Sequence, residues 1–242
     1  SMDRVKSDLL TLINAKVKLV KFVDRTFNCN RERAKEIFSF IIENSKGTSF
    51  HFEAAADLFD EEMFDILSRA PKGLIQFEIG IQSTNEGALE AVRRKTDIKK
   101  VFHSIKRLKE YGNMHIHADL IAGLPLEDYN SFMNSFNEVY ELYPHQLQLG
   151  FLKLLKGSSI RHEYRKHGYK FRQYPPYEIL ANNYLSFGDI IGLKRIEELL
   201  ERYYNSARFQ RTLKYLIEVF FPSPAAFFEE FSRYYDKAGY YE

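Results

Sequence analysis

Four short segments in the first 150 residues alternate strictly between apolar and polar side chains, and this period of two constrains the fold most. Phe50, Phe52 and Ala54 alternate with His51 and Glu53, and Phe77, Ile79 and Ile81 with Gln76, Glu78, Gly80 and Gln82. Ile116, Ala118 and Leu120 alternate with His115, His117 and Asp119, and Leu147, Leu149 and Phe151 with Gln146, Gln148 and Gly150. Successive side chains of a strand point to opposite faces, so each segment has one apolar face and one polar face. Candidate strands therefore run over Ser49–Ala54, Leu74–Gln82, His115–Ile121 and Gln146–Phe151, with a further one over Val17–Asp24. Between them the period changes to that of an amphipathic helix over Arg31–Glu43, Asp97–Lys109 and Asp128–Tyr143, where Phe132, Phe136 and Val139 form one stripe. Candidate strands begin roughly 30–40 residues apart, the size of a βαβ unit, which predicts a parallel sheet. A parallel strand covered by helices on both faces is apolar on both. These are not, so the expected fold is α/β, a partial parallel (β/α) TIM-like barrel of about five strands whose inner face lines a polar cavity.

From about residue 157 the alternation stops, and helical stretches are expected over Tyr177–Gly188, Ile196–Tyr203, Ala207–Phe220 and Pro224–Tyr235. This predicts two domains, 1–156 and a helical domain over 157–242, which holds twelve of the sixteen tyrosines. Thirteen basic residues face eleven acidic ones in the second part, and the whole chain carries +2, so total charge gives no reason to expect nucleic acid or an anionic membrane as partner. No apolar run reaches the roughly 18 residues of a membrane span and no signal peptide is visible, so a cytoplasmic location is the expectation. The single cysteine, Cys29, cannot form an internal disulfide or by itself hold a zinc site or an iron–sulfur cluster.

Ligands of barrels and open parallel sheets bind at the carboxyl ends of the strands. The chemistry-bearing residues there are Asp24 and Arg25, Glu53, Gln82 and Ser83, and Asp119 followed by Gly123. Carboxylates and a carboxamide suit sugar hydroxyls or an ammonium group, and Gly123 permits close backbone approach. Asp57, Asp60 and Asp97 fit helix caps or turns better.

These residues carry a family resemblance. Asp119-Leu120-Ile121-Ala122-Gly123-Leu124-Pro125 resembles the fifth-strand DLIxGLP signature of radical S-adenosylmethionine (SAM) enzymes. Glu78-Ile79-Gly80-Ile81-Gln82-Ser83, with Leu89 and Arg93-Arg94 after it, is similar to their fourth-strand segment, and His51-Phe52-Glu53 to the third-strand glutamate position. Phe22-Val23-Asp24-Arg25-Thr26-Phe27-Asn28, then Arg31 and Arg33, resembles the second strand of the subgroup with an upstream cobalamin-binding domain. The resemblance covers roughly residues 17–156 and makes the strands the second to sixth of a radical-SAM barrel. It implies that Glu53 meets the methionyl end of SAM and that Gln82 and Asp119 hold the ribose. It also implies that Arg94, or Arg93 if the register slips by one, pairs with the methionyl carboxylate, and that Gly123-Leu124 lies beside the adenine, with Ser83 in the same site. Asp24, Arg25, His51, Glu78, His117 and Gln148 are then candidates for lining the substrate cavity.

The family's CxxxCxxC loop, which holds a [4Fe–4S] cluster that reductively cleaves SAM, is absent from this sequence. The resemblance therefore implies the C-terminal part of a longer iron–sulfur oxidoreductase-like protein. On that reading Ser1-Met2 is a cloning remnant, and the missing N-terminal part is the natural partner. The full-length parent would use SAM, the cluster and, in its subgroup, cobalamin. The piece itself is expected to bind none of them tightly, to act on an unspecified small molecule only as part of the whole, and to pair with a second copy or cover its open sheet edge with the helix Asp3–Ala15. Two other readings stay open. His115 and His117 with Glu53 could form the metal site of a barrel hydrolase or lyase. The tyrosine-rich tail could be a non-catalytic interaction module.

Overall fold

The structure, a computed structural model, describes residues 1–241. Five parallel strands, β1 (Leu19–Lys21), β2 (Ser49–Glu53), β3 (Ile75–Gln82), β4 (His115–Ala122) and β5 (Gln146–Phe151), form one sheet in sequential order. The helices that intervene are α2 (Arg31–Asn44) after α1 (Met2–Asn14), then α3 (Glu61–Ser68), α4 (Glu86–Ala91), α5 (Ile98–Tyr111) and α6 (Tyr129–Tyr140). The α/β class and the helical C-terminal part are as the sequence predicts. β1 is only three residues long, against the eight expected of Val17–Asp24, and α3 and α4 lie where no helix was expected. Asn30, Asp60, Asn85, Asp97 and Asp128 each cap the helix that follows by accepting a backbone N–H. For α3 and α4, Asp60 and Asn85 were the available signals.

The chain divides into two compact units, Ser1–Gly80 with Thr96–Ala118, and Ile81–Lys95 with the chain from Asp119 onward. In the first, Phe52 lies at the centre of an aromatic cluster, with Phe22, Phe27, Phe38 and Phe77 at centroid distances of 4.7, 4.4, 5.2 and 6.0 Å. Asn28 is fully buried and exchanges two hydrogen bonds with the backbone of Ala55, tying the loop after β1 to the loop after β2. In β3 and β4 the alternation read from the sequence is the burial pattern observed, whereas in β2 His51 is also buried and in β5 Phe151 is not. Ile75, Phe77, Ile79 and Ile81 of β3 are buried, whereas Gln76, Glu78, Gly80 and Gln82 are half-buried.

In the second unit the tail begins with a feature that the sequence did not reveal. After a single helical turn, α7 (Ser159–His162), two short antiparallel strands pair, β6 (Lys170–Phe171) and β7 (Ile179–Ala181). The helix expected over Tyr177–Gly188 is therefore a strand followed by the first turn of α8 (Phe187–Leu199), which Ser186 and Asp189 start with a capping box. Pro175, Pro176 and the alternation of Glu178 and Ile179 were the signals against a helix there. α8 runs on into a wide turn over Leu200–Asn205, followed by α9 (Gln210–Phe220) and α10 (Pro224–Lys237). Asn205 donates to and accepts from the backbone of Leu147 in β5, at 3.0 and 2.9 Å, so its carboxamide substitutes for a neighbouring strand. Tyr140, Phe136, Tyr204 and Phe228 pack together, and burial raises the Tyr140 and Tyr204 hydroxyls well above the usual phenol range.

Candidate strand-end pocket

The backbone at the end of β3 turns abruptly. Gln82 has φ of 73°, left-handed for a residue with a side chain, a conformation that costs of order 1–3 kcal/mol and persists where the surroundings enforce it. Eleven residues later Arg93 repeats the conformation at φ 59°. There the cause is the end of α4: Arg93 N–H donates to Glu90 O at 2.8 Å and Arg94 N–H to Leu89 O at 2.9 Å, the paired bonds of a Schellman ending, with arginine where glycine is usual. Both turns deliver side chains to one cavity of about 460 Å³, within the range of small-molecule sites. Gln82, Arg93 and Arg94 supply its polar groups, Ile121 and Leu124 its apolar floor, and Glu163 a carboxylate 3.7 Å from the Arg93 guanidinium. Oε1 of Gln82 is buried and makes no hydrogen bond among the described residues. An acceptor in that condition is expensive unless a ligand completes it.

Behind the cavity lies a polar network that the sequence did not reveal. Glu127, in the loop after β4, is fully buried. Its Oε1 accepts from Ser83 Oγ at 2.5 Å and from Ser135 Oγ at 3.2 Å, and burial pushes its carboxyl up to about 7. Thr84 N–H and Oγ1 both donate to Ser135 Oγ, Asn85 N–H donates to Ser83 Oγ, and the Asn85 side chain reaches Ser131 Oγ at 2.8 Å. The turn after β3 is thereby fastened to the start of α6. Four polar residues immediately after β3 and a carboxylate beside Leu126, itself left-handed at φ 63°, were the signals.

The remaining candidates are dispersed. Ser83 is buried in the network rather than lining the cavity. Gly123 (φ 96°) has packing around it: Tyr169 Oη and Asn182 Nδ2 donate to its carbonyl at 2.8 and 3.1 Å, and a Cβ there would lie 1.9 Å from Ile179 Cδ1. The residue type is thus accounted for by the Ile179 side chain occupying the space a Cβ would need. Asp119 is half-buried on the polar face of β4, and Gln148 is exposed on that of β5. Glu53 is half-buried and in register with Glu78, and His51 Nε2 meets Glu78 Oε2 at 2.9 Å, all in the first unit. Asp24 lies 3.7 Å from Arg33 Nη1, and Arg25 is exposed. Burial first, then His117 and His51, lowers the His115 pKa. Among the described residues no three His, Cys, Asp or Glu side chains converge in a way that could hold a metal ion.

A parallel α/β sheet with a cavity at its strand ends is the fold class of this chain. The comparisons place the chain in a family. The profile of the radical SAM superfamily matches residues 1–139, more than half of the chain, and the chain belongs to that superfamily. A second profile, a protein of unknown function (DUF4080), matches residues 165–242. The uncharacterized protein YtqA of Bacillus subtilis is 23% identical over 136 residues, 56% of this chain and 42% of the relative. The heme chaperone HemW of the same organism is 30% identical over 117 residues, 47% of this chain and 30% of that one. The chain thus spans less than half the length of these curated relatives. Among solved structures, the radical SAM methyltransferase TsrM of Kitasatospora setae, with cobalamin and a [4Fe–4S] cluster bound, superposes with a TM-score of 0.61 at 13% identity, over 77% of this chain and 38% of TsrM. The coproporphyrinogen III oxidase HemN of Escherichia coli, a radical SAM enzyme, gives 0.56 at 20% identity, over 82% of this chain and 45% of HemN. These likenesses show the fold.

The family implies SAM and a [4Fe–4S] cluster, and this chain's residues fit the two differently. The donor set around the Gln82 pocket fits SAM: guanidinium groups for a carboxylate, a buried carboxamide oxygen for a hydroxyl, and an apolar floor for a purine. The cluster does not fit, because a lone exposed cysteine cannot supply its thiolates. No helix among the described residues is long and apolar enough to cross a membrane.

Proposed function

We propose that this chain supplies the SAM-binding strand ends and the substrate-side wall of a radical SAM iron–sulfur enzyme, and is not catalytic alone. Residues 1–156 form the partial barrel in this reading and residues 157–242 its added helical domain. Arg94, with Arg93 beside it, holds the methionyl carboxylate, Gln82 accepts from a ribose hydroxyl, and Ile121 and Leu124 flank the adenine. Glu53 and Asp119 take the methionyl and ribose positions that the family resemblance gives them. Ser83 and Glu127 keep the Gln82 turn in place without touching the ligand. SAM, bound together with the cluster, supplies the one-electron chemistry of the family. The partner is the N-terminal part of the same protein, which carries CxxxCxxC.

The observation that carries the reading is the buried Oε1 of Gln82, unpartnered among the described residues and held at a left-handed backbone position in a cavity shared with two arginines. The test compares two proteins. The longer protein with its cluster loop is expected to cleave SAM after one-electron reduction, and the 242-residue chain is expected to bind SAM weakly and leave it intact. Absence of cleavage in the longer protein, or full activity after Arg94→Ala, contradicts the reading.

A further inference from the structure

The near-neutral total charge conceals an uneven distribution. Between Lys153 and Tyr177 the chain carries seven lysines and arginines and one acidic residue, Glu163. That carboxylate is already engaged, lining the Gln82 pocket with Arg93, Lys166 and His167 within 3.7 Å. α7 separates two cavities: Ser159, Ile160 and Glu163 line the first, whereas Arg161, His162 and Tyr164 line a second of about 410 Å³. Lys156, Gly157, Phe171 and Gln173 complete its walls. The Arg161 guanidinium is held between two rings, 5.0 Å from the centroid of Phe171 and 4.9 Å from that of Tyr177. Its Nη1 donates to Leu154 O at 2.6 Å. That bond uses one of five N–H donors, so the cation is fixed in place with donors to spare.

We propose that this second cavity is a binding site for a phosphoryl group, borne by a free nucleotide or by a nucleic-acid strand. An ammonium (Lys156), an immobilised guanidinium (Arg161) and an imidazole (His162) around one cavity match an anion with several acceptor oxygens and up to two charges better than a carboxylate, which has two oxygens and one charge. Lys153, Lys170 and Arg172, on the segments that flank its lining residues in the sequence, are exposed, and Tyr174 is 65% exposed, groups of the kinds that hold phosphodiesters and stack on bases. The site shares no charged residue with the Gln82 pocket, so it stands or falls independently of the SAM reading.

The test is calorimetric titration of inorganic pyrophosphate into the 242-residue chain at about 50 mM salt, where screening is weak. Binding with Kd below about 1 mM is expected, weakened roughly tenfold or more by Lys156→Glu combined with His162→Ala. Both residues are exposed, so the thermal midpoint should not change. Lys214→Glu, on exposed α9, should have no effect on binding. ADP and a twelve-residue oligouridylate are then competed against pyrophosphate. Displacement by the oligonucleotide at the lower concentration identifies a strand, and displacement by ADP alone identifies a free nucleotide; either upholds the site. No binding, equal weakening by Lys214→Glu, or equal displacement by a polyglutamate peptide overturns it.

Discussion

On one side of α7, Gln82, Arg93 and Arg94 enter a cavity with an apolar floor; on the other, Lys156, Arg161 and His162 surround a cavity with aromatic walls. The first places its polar groups by backbone strain, with two left-handed residues and a buried carboxyl network behind one of them. The second places its central cation by stacking one side chain between two rings and leaves the others exposed. Strain and burial favour one ligand geometry at a cost in stability, whereas exposed charge favours affinity that falls with salt. Substitutions behind or within the first cavity should therefore trade stability against binding, and those in the second should not.

The largest expected effect concerns Glu127. Its carboxyl titrates near 7 in the folded chain and near 4.5 when unfolded, so the folded state holds the extra proton between those values. The stabilisation from this group is complete below about pH 4.5 and is lost as pH rises through about 7, a difference of about 3 kcal/mol. Denaturant titrations across pH 4.5–8 should show this decline in the parent chain and not in Glu127→Gln. Next, Arg93→Ala with Arg94→Ala should lower SAM affinity about 30–100-fold and leave pyrophosphate affinity unchanged, read by calorimetry on the same preparation. Gly123→Ala should destabilise by about 2 kcal/mol in a denaturant titration, because a Cβ would have to displace the buried Ile179 side chain at φ 96°. Smallest and sharpest is Gln82→Gly. Relief of the left-handed strain should raise stability by about 1 kcal/mol while SAM affinity falls about tenfold. A variant that loses both, or gains both, would break the contrast between the cavities.

The sequence made the first cavity partly readable and the second hardly at all, for physical reasons. Strands with one polar face announce themselves by period two, and Gln82 stands at the end of such a run, so its position was legible without coordinates. Its left-handed φ was not, because no local signal such as glycine marks it. Glu127 gives no signal in the sequence because a carboxylate in a loop normally caps a helix, as Asp128 beside it does, and its hydrogen-bond partners lie 44 and 8 positions away. Arg161 lies on a four-residue helix too short to show a period, and Glu163 is the residue that ends it. β7 falls where the sequence leads one to expect a helix because its three residues carry too little of the alternation, and β6, two residues long, shows no period at all. Total charge hid the basic stretch, since its surplus is balanced by acidic residues elsewhere.

The most direct measurement is a two-dimensional NMR titration of the 242-residue chain with S-adenosylhomocysteine, following backbone and side-chain N–H signals. Saturable shifts at Gln82, Arg93, Arg94, Ile121 and Leu124, with Lys156 and His162 unmoved, are predicted. Shifts that fail to saturate, or that map to Lys156 and His162 instead, would contradict the assignment of the SAM site to the strand ends.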